Sequence, residues 1–346
     1  MAVLAVVTSS PPGVEGGHLV IARSLVSAAR DQGHDAHLVV TPDYGFGRTL
    51  ETYRGNWSTD VRRVDGQRVD QVISLRYPSY AVKHDAHVCW LNHTMREYYD
   101  MWPDFAASIS ARNRLKERTR KALIRTADWW LLRYRVSQVV AQSRTIQRRL
   151  RDDLGVGADV LWPPPPQRAY RCDEYGDFVL AVSRLTPMKR LDLLIRALAE
   201  PAAKHVRVVI AGEGESRGML ETLAARLGVA DRVLLAGRLD DLALVEQLGR
   251  CRAVCFSPLA EDYGFVTVEA FASGKAVITC TDSGGPAELV RDGESGFVCE
   301  PSPASLAEAL ARVTDDRALA ERLGRGAAAQ AAGLRWPDAV KRLVIV

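Results

Sequence analysis

The chain has 346 residues, 47% of them apolar and 25% charged, with a formal net charge of +4 at pH 7. That length suits two medium α/β domains, and the balance argues against disorder over most of the chain. So small a net charge does not by itself mark a nucleic-acid binder, and the placement of the charges matters more than their sum.

The opening Met-Ala-Val-Leu-Ala-Val-Val-Thr is too short to span a bilayer and lacks the basic start of a signal peptide, so it reads as a first buried strand. No other run reaches membrane-spanning length, and the protein is expected to be cytoplasmic, with any membrane contact peripheral. A helix over 19–30, a strand over 36–40, a strand ending at 88–91 and another near 136–141 follow. Next comes Trp162-Pro163-Pro164-Pro165-Pro166, which neither helix nor strand can absorb and which reads as a linker. Beyond it, short apolar strands (178–182, 206–211, 233–235, 253–257, 276–279) alternate with helices carrying apolar residues at helical spacing, such as Leu191, Leu194, Ile195 and Leu198. Such alternation predicts parallel sheets with helices on both faces. The expected class is α/β, with a domain over 1–165 and a second over 166–334, the last segment (about 335–346) packing back onto the first. Ligands of such sheets bind beyond the carboxyl ends of strands, and a site is expected in the cleft between the domains.

The cysteines at 89, 172, 251, 255, 280 and 299 form no Cys-x-x-Cys pair, and no histidine stands near Cys251 and Cys255 to suggest zinc. They read as reduced thiols used as small apolar residues.

Four features of the second half point to a nucleotide diphosphate. In "AVSRLTPMKRLDLL", Arg184 follows a strand and Lys189 precedes a helix, so both cations can reach one diphosphate; solvated loop charges are the plain alternative. In "EDYGFVTVEAF", Gly264 permits a tight turn that aims the amides of Phe265, Val266 and Thr267 outward as an anion site. Glu269, expected on the first turn, would accept from ribose hydroxyls, and Glu261, before the turn, would face the transferred sugar. Otherwise both are carboxylates favoured by the helix dipole. The glycine pair of "TDSGGPAELV" would bring backbone close to a ligand, and Gly212 and Gly214 of "AGEGES" form a lone Gly-x-Gly, more simply a turn.

Taken in order, "SRLTPMKR", "AGEGES", "EDYGFVTVEAFASGKAVI", "DSGGPAELV" and "DGESGFV" resemble the retaining GT-B-fold glycosyltransferases of family 4, over roughly 176–313. The resemblance implies two doubly wound Rossmann-like domains facing across a cleft. It implies that Arg184 and Lys189 bind the donor diphosphate, Glu269 the ribose and Glu261 the donor sugar. Tyr263, Gly264 and the amides of Phe265–Thr267 would support diphosphate or sugar, and backbone of the Gly237-Arg238-Leu239 loop the base. "GVEGGHLVIARSLVSAARDQGHDAHLVV" resembles the family's first glycine loop more loosely, with Gly16 and Gly17 either holding an anionic group or simply starting a helix. His93 in "VCWLNHTMREYYDMW" matches a histidine that touches the donor sugar, and Arg96 is a weaker candidate for the same place.

Retaining transfer with no evident carboxylate nucleophile suggests front-side attack, with Arg184, Lys189 and a helix start stabilising the leaving phosphate. No Asp-x-Asp pair is present, so no metal and no cofactor are expected beyond a UDP-, GDP-, ADP- or dTDP-linked sugar as co-substrate. The acceptor, a small molecule, lipid or glycan, leaves no signature. Residues 112–151 carry thirteen Arg or Lys against Glu117 and Asp128, a balance of 13 − 2 = +11, with Trp129 and Trp130 among them. A solvated helix face is the simpler reading, and docking on an anionic membrane or a phosphate-bearing acceptor the sharper one. Where the family often has Asn-Gly-Val-Asp this chain has the four prolines, and where it often has Gly after the phosphate lysine this chain has Arg190, a further cation for the diphosphate or a solvent-facing one. An epimerase or hydrolase of similar fold, or a non-catalytic nucleotide-sugar or nucleic-acid binder, are the alternatives. No aromatic single-strand platform or basic groove reader supports nucleic acid.

Overall fold

In the computed structural model, described here for residues 1–13 and 16–346, the chain divides into two compact units. One comprises Met1–Pro163 with Arg335–Val346, the other Pro164–Leu334.

The first unit runs β1 (Val3–Ser10), α1 (Gly17–Asp31), β2 (Asp35–Pro42), α2 (Thr49–Ser58), a small hairpin of β3 (Arg63–Val64) and β4 (Gln67–Arg68), β5 (Gln71–Ser74) and β6 (His87–Leu91). Then come α3 (Trp102–Ser108), α4 (Ala111–Tyr134), β7 (Gln138–Ala141), α5 (Arg144–Leu154) and β8 (Asp159–Val160). Six strands form one parallel sheet in the order β2-β1-β5-β6-β7-β8. β1 and β6 are buried almost throughout, which is why they read as continuous apolar runs rather than alternating ones.

The second unit runs β9 (Phe178–Val182), α6 (Leu191–Leu198), β10 (Arg207–Ala211), α7 (Arg217–Arg226), β11 (Val233–Gly237), α8 (Asp241–Arg250) and β12 (Ala253–Cys255). It closes with α9 (Phe265–Ala272), β13 (Val277–Cys280), α10 (Gly285–Leu289), β14 (Gly296–Cys299), α11 (Pro303–Asp315) and α12 (Arg317–Ala332). Its parallel sheet has the order β11-β10-β9-β12-β13-β14, so the direction of winding reverses beside β9. Loops leaving β9 and β12 therefore diverge at the switch point and leave a crevice at the carboxyl end of the sheet. Side-chain caps from Asp240, Ser302 and Asp316 start α8, α11 and α12.

The last helix, α13 (Trp336–Leu343), belongs to the first unit. Trp336 meets the buried Trp90 edge-on at 6.2 Å, and Gln71 donates to the Leu343 carbonyl at 2.7 Å while accepting from the Ile345 amide at 2.8 Å. The proline run is irregular, and the boundary between units falls inside it, between Pro163 and Pro164. All six cysteines are free thiols, and Cys172 is exposed rather than packed as an apolar residue. Cys280 and Cys299 face each other across β13 and β14 with sulfurs 3.9 Å apart.

Candidate functional site

The cation loop leaves β9 and ends in a single 3-10 turn, Pro187–Lys189. It runs beside the loop after β10: the Ser183 amide donates to Ala211 O at 3.0 Å and the Leu185 amide to Glu213 O at 2.9 Å. A Cβ on Gly212 would lie 1.8 Å from Ser183 O, and one on Gly214 2.4 Å from Leu185 O. These glycines are needed so that two backbones can touch, a reason distinct from either a bare turn or a ligand contact. The Gly212 amide donates to Gly237 O at 2.7 Å, so the loop of Gly237, Arg238 and Leu239 adjoins it; Arg238 is exposed.

The two cations of the loop behave differently. Lys189 Nζ lies 2.6 Å from Glu261 Oε2 and 5.6 Å from the Phe256 ring centroid, so two residues far apart in sequence share one spot. Arg184 is exposed and has no charged partner among the described residues. Arg190 turns inward to an acid rather than out to solvent. It grips both Asp282 oxygens at 2.7 Å and donates to the carbonyls of Ser257 and Pro258, tying together the loops after β9, β12 and β13. Its backbone is left-handed (φ 48°, ψ 38°), the region that favours glycine.

α9 begins on Gly264, at φ 83°, with no side-chain cap. The Thr267 amide donates to Gly264 O at 3.0 Å, so of the three amides expected to face outward only those of Phe265 and Val266 lack a described acceptor. The hydroxyls of Thr267 and Ser183 are buried with no partner among the described residues. The ring of Tyr263 is buried, edge-on to Phe265 at 5.4 Å.

Glu269 is the fifth residue of α9, on its second turn rather than its first, and is 5% exposed. Its Oε1 accepts from Arg168 and, at 3.0 Å, from the Tyr170 hydroxyl, while Arg168 also reaches Asp241 at 2.7 Å. Burial pushes the Glu269 carboxyl up, with the Arg168 guanidinium opposing. Arg168 and Tyr170 went unread in the sequence. They stand just after the prolines on an irregular strap, with neither periodicity nor motif around them.

The glycine pair is likewise explained by backbone contact. A Cβ on Gly284 would lie 2.4 Å from Glu261 O, and one on Gly285 2.5 Å from the Tyr263 backbone. The Glu261 amide donates to Ser283 O and the Gly285 amide to Glu261 O, a one-residue parallel bridge that fixes the segment carrying Glu261.

In the first unit, His93 follows β6 and stacks at a tilt on Tyr77, centroids 5.4 Å apart. Its Nδ1 donates to Thr94 O at 2.8 Å, since a carbonyl can only accept, which leaves Nε2 as an acceptor. Burial, with Arg76, Arg96 and Arg149 nearby, depresses its pKa to about 3, so the ring is neutral at ordinary pH. Arg96 is held by Asp100 at 2.6 Å. Gly16 precedes α1 in extended backbone (φ −152°), and Gly17 is the helix's first residue; the neighbouring residues 14 and 15 lie outside the described set. Among the described residues no group of three or more His, Cys, Asp or Glu converges as a metal site, and no helix is long and apolar enough to cross a membrane.

Residues 167–330, nearly the whole second unit with its cation loop, Glu261 and Glu269, match the profile of glycosyl transferases group 1. This unit is a glycosyl transferases group 1 domain. The D-inositol 3-phosphate glycosyltransferase of Nocardia farcinica is 33% identical over 208 residues, 56% of this chain and 46% of that protein. The chain thus spans less than half the length of this curated relative. Sucrose-phosphate synthase from Thermosynechococcus elongatus superposes with a TM-score of 0.77 at 15% identity, covering 98% of this chain and 96% of that one. Anabaena HepE, solved with UDP and glucose, gives 0.71 at 18% identity, covering 98% and 97%. The fold is GT-B. Within the group 1 domain the motifs cluster on the loops at the carboxyl end of the sheet. The first unit lies outside the matched residues, in keeping with its looser motifs.

Proposed function

We propose that this protein transfers a sugar from a nucleotide diphosphate to an acceptor hydroxyl, with retention of anomeric configuration and without a metal ion. The observation that carries the reading is the meeting of Lys189 and Glu261 at 2.6 Å, contributed by the loops that open beside the sheet's switch point. An arriving diphosphate would compete with Glu261 for the ammonium and free that carboxylate for sugar hydroxyls. The amides of Phe265 and Val266 and the exposed Arg184 would supply further donors to phosphate oxygens. Glu269 would take the ribose hydroxyls, held in place by Arg168 and Tyr170.

In the reaction the bond from the anomeric carbon to the diphosphate breaks as the bond to the acceptor oxygen forms on the same face. The acceptor proton passes to the departing phosphate oxygen, and charge growing there is met by Lys189, Arg184 and the start of α9. His93, neutral, suits hydrogen bonding to a sugar hydroxyl rather than proton transfer. UDP is the first nucleotide to try, because HepE was solved with it.

Thermal-shift titration with UDP-, GDP-, ADP- and dTDP-sugars tests the reading. Stabilisation by one of them, lost in Lys189→Ala and Glu269→Ala, is expected, and equal shifts in all three proteins would refute the site. Activity should survive chelator. Consumption of donor without any acceptor would favour the hydrolase or epimerase alternative.

A further inference from the structure

α4, 24 residues long, divides sharply by face. Its buried side carries Glu117, Ile124, Asp128 and Leu131. Asp128 accepts from the hydroxyls of Tyr53, Tyr80 and Tyr99, and Glu117 from Tyr98 and Arg120. The two acids of the helix are therefore both turned inward and consumed by hydrogen bonds. The outer face, at steps of eight, seven and four residues that return to one side of the helix, keeps Leu115 (71% exposed), Leu123 (54%), Trp130 (42%) and Tyr134 (59%). Interleaved with them are the exposed Arg112, Lys116 and Arg133, which pair with no described acid. The basic stretch read from sequence is not one patch: in α5, Arg149 is paired with Asp100 at 3.0 Å and Arg151 with Asp152 at 2.8 Å.

We infer that the outer face of α4 docks on an anionic phospholipid surface. A solvated helix face normally mixes both signs of charge and hides its large apolar groups. This one has cations, leucines and aromatics and no carboxylate, the composition of a helix lying in a membrane interface. Tryptophan and tyrosine favour the headgroup level, and the cations favour lipid phosphates. A surface groove of about 440 Å³ lined by Arg112, Asn113, Leu115, Lys116 and Thr119 offers two cations beside one exposed leucine, a combination that suits a lipid phosphate. The inference does not depend on the sugar-transfer reading, because docking needs no donor.

Vesicle co-sedimentation of the full chain at physiological salt tests it, using phosphatidylcholine alone and phosphatidylcholine with about one-third phosphatidylglycerol. Wild type should partition at least about tenfold more strongly onto the anionic vesicles, and Arg112→Glu/Lys116→Glu/Arg133→Glu should lose that preference while melting as wild type does. Leu115→Ser/Leu123→Ser should keep the preference at weaker partitioning, and Trp fluorescence should shift to the blue on vesicle addition. Equal partitioning onto both vesicles, or unchanged partitioning of the charge-reversal variant, overturns the proposal. Displacement from vesicles by duplex RNA, or a concentration-dependent dimer abolished by Leu115→Ser/Leu123→Ser, would assign the face to another partner and overturn it as well.

Discussion

Arg190 holds a left-handed backbone that costs a non-glycine residue about 1 kcal/mol or more, yet its guanidinium joins Asp282 and two carbonyls. Arg190→Ala keeps the strained backbone and loses the clamp, whereas Arg190→Gly loses the clamp but relieves the backbone. Urea unfolding should find Arg190→Ala the less stable of the two by about 1 kcal/mol. Arg168 bears on the proposed nucleotide site, because removing it leaves the buried Glu269 with Tyr170 as its remaining described partner. Arg168→Met should destabilise the second unit by about 3 kcal/mol and weaken nucleotide binding, both readable by thermal shift with and without nucleotide. His93, with a pKa near 3, binds no proton across the ordinary working range. The acid limb of kcat/KM should therefore fall at the same pH in wild type and His93→Gln; a limb near 6.5 lost in the variant would contradict this.

At the scale of elements, α4 is anchored by a carboxylate under three tyrosines. Burial raises the Asp128 pKa to about 6, the tyrosine hydroxyls opposing. The folded state thus binds a proton more readily than the unfolded chain between about pH 4 and 6, so this group's contribution to stability falls as pH rises through that window. Wild-type stability measured relative to Asp128→Asn should decline from pH 4 to 6 and level off above, a trend that urea melts at stepped pH can follow. Loop-to-loop contact sets the other critical element. Gly284→Ala would place a methyl group 2.4 Å from Glu261 O and push aside the segment that presents Glu261 to Lys189. Nucleotide-induced stabilisation should drop in that variant even though no ligand-facing side chain has changed.

For the whole molecule, the returning α13 completes the first unit rather than the second. Trp336→Ala should cost that unit about 3–5 kcal/mol, measurable as a lower urea midpoint than wild type. The alternating strands and helices of both units, the break at the prolines and the motif loops were legible because each is written in contiguous residues: short apolar runs, helical spacing, and Gly or Pro at turns. Glu261 and Glu269 stood out for the same reason. Arg168 and Tyr170 did not, since nothing local announces that a strap will fold back onto α9. The glycines at 212, 214, 284 and 285 were visible, but the backbone contacts that require them were not, because a Cβ clash depends on a neighbouring loop distant in the chain.

Local chemistry alone therefore determined the class of fold, the two-part organisation and the motifs shared with glycosyl transferases group 1, because backbone propensity and hydrophobic period act over neighbouring positions. Tertiary structure alone decided which groups meet: Lys189 with Glu261, Glu269 with Arg168, Arg190 with Asp282, and the two acids of α4 with tyrosines in the interior. Charge pairing and burial act through space, and a count along the chain cannot tell a carboxylate that neutralises a basic face from one turned away beneath it.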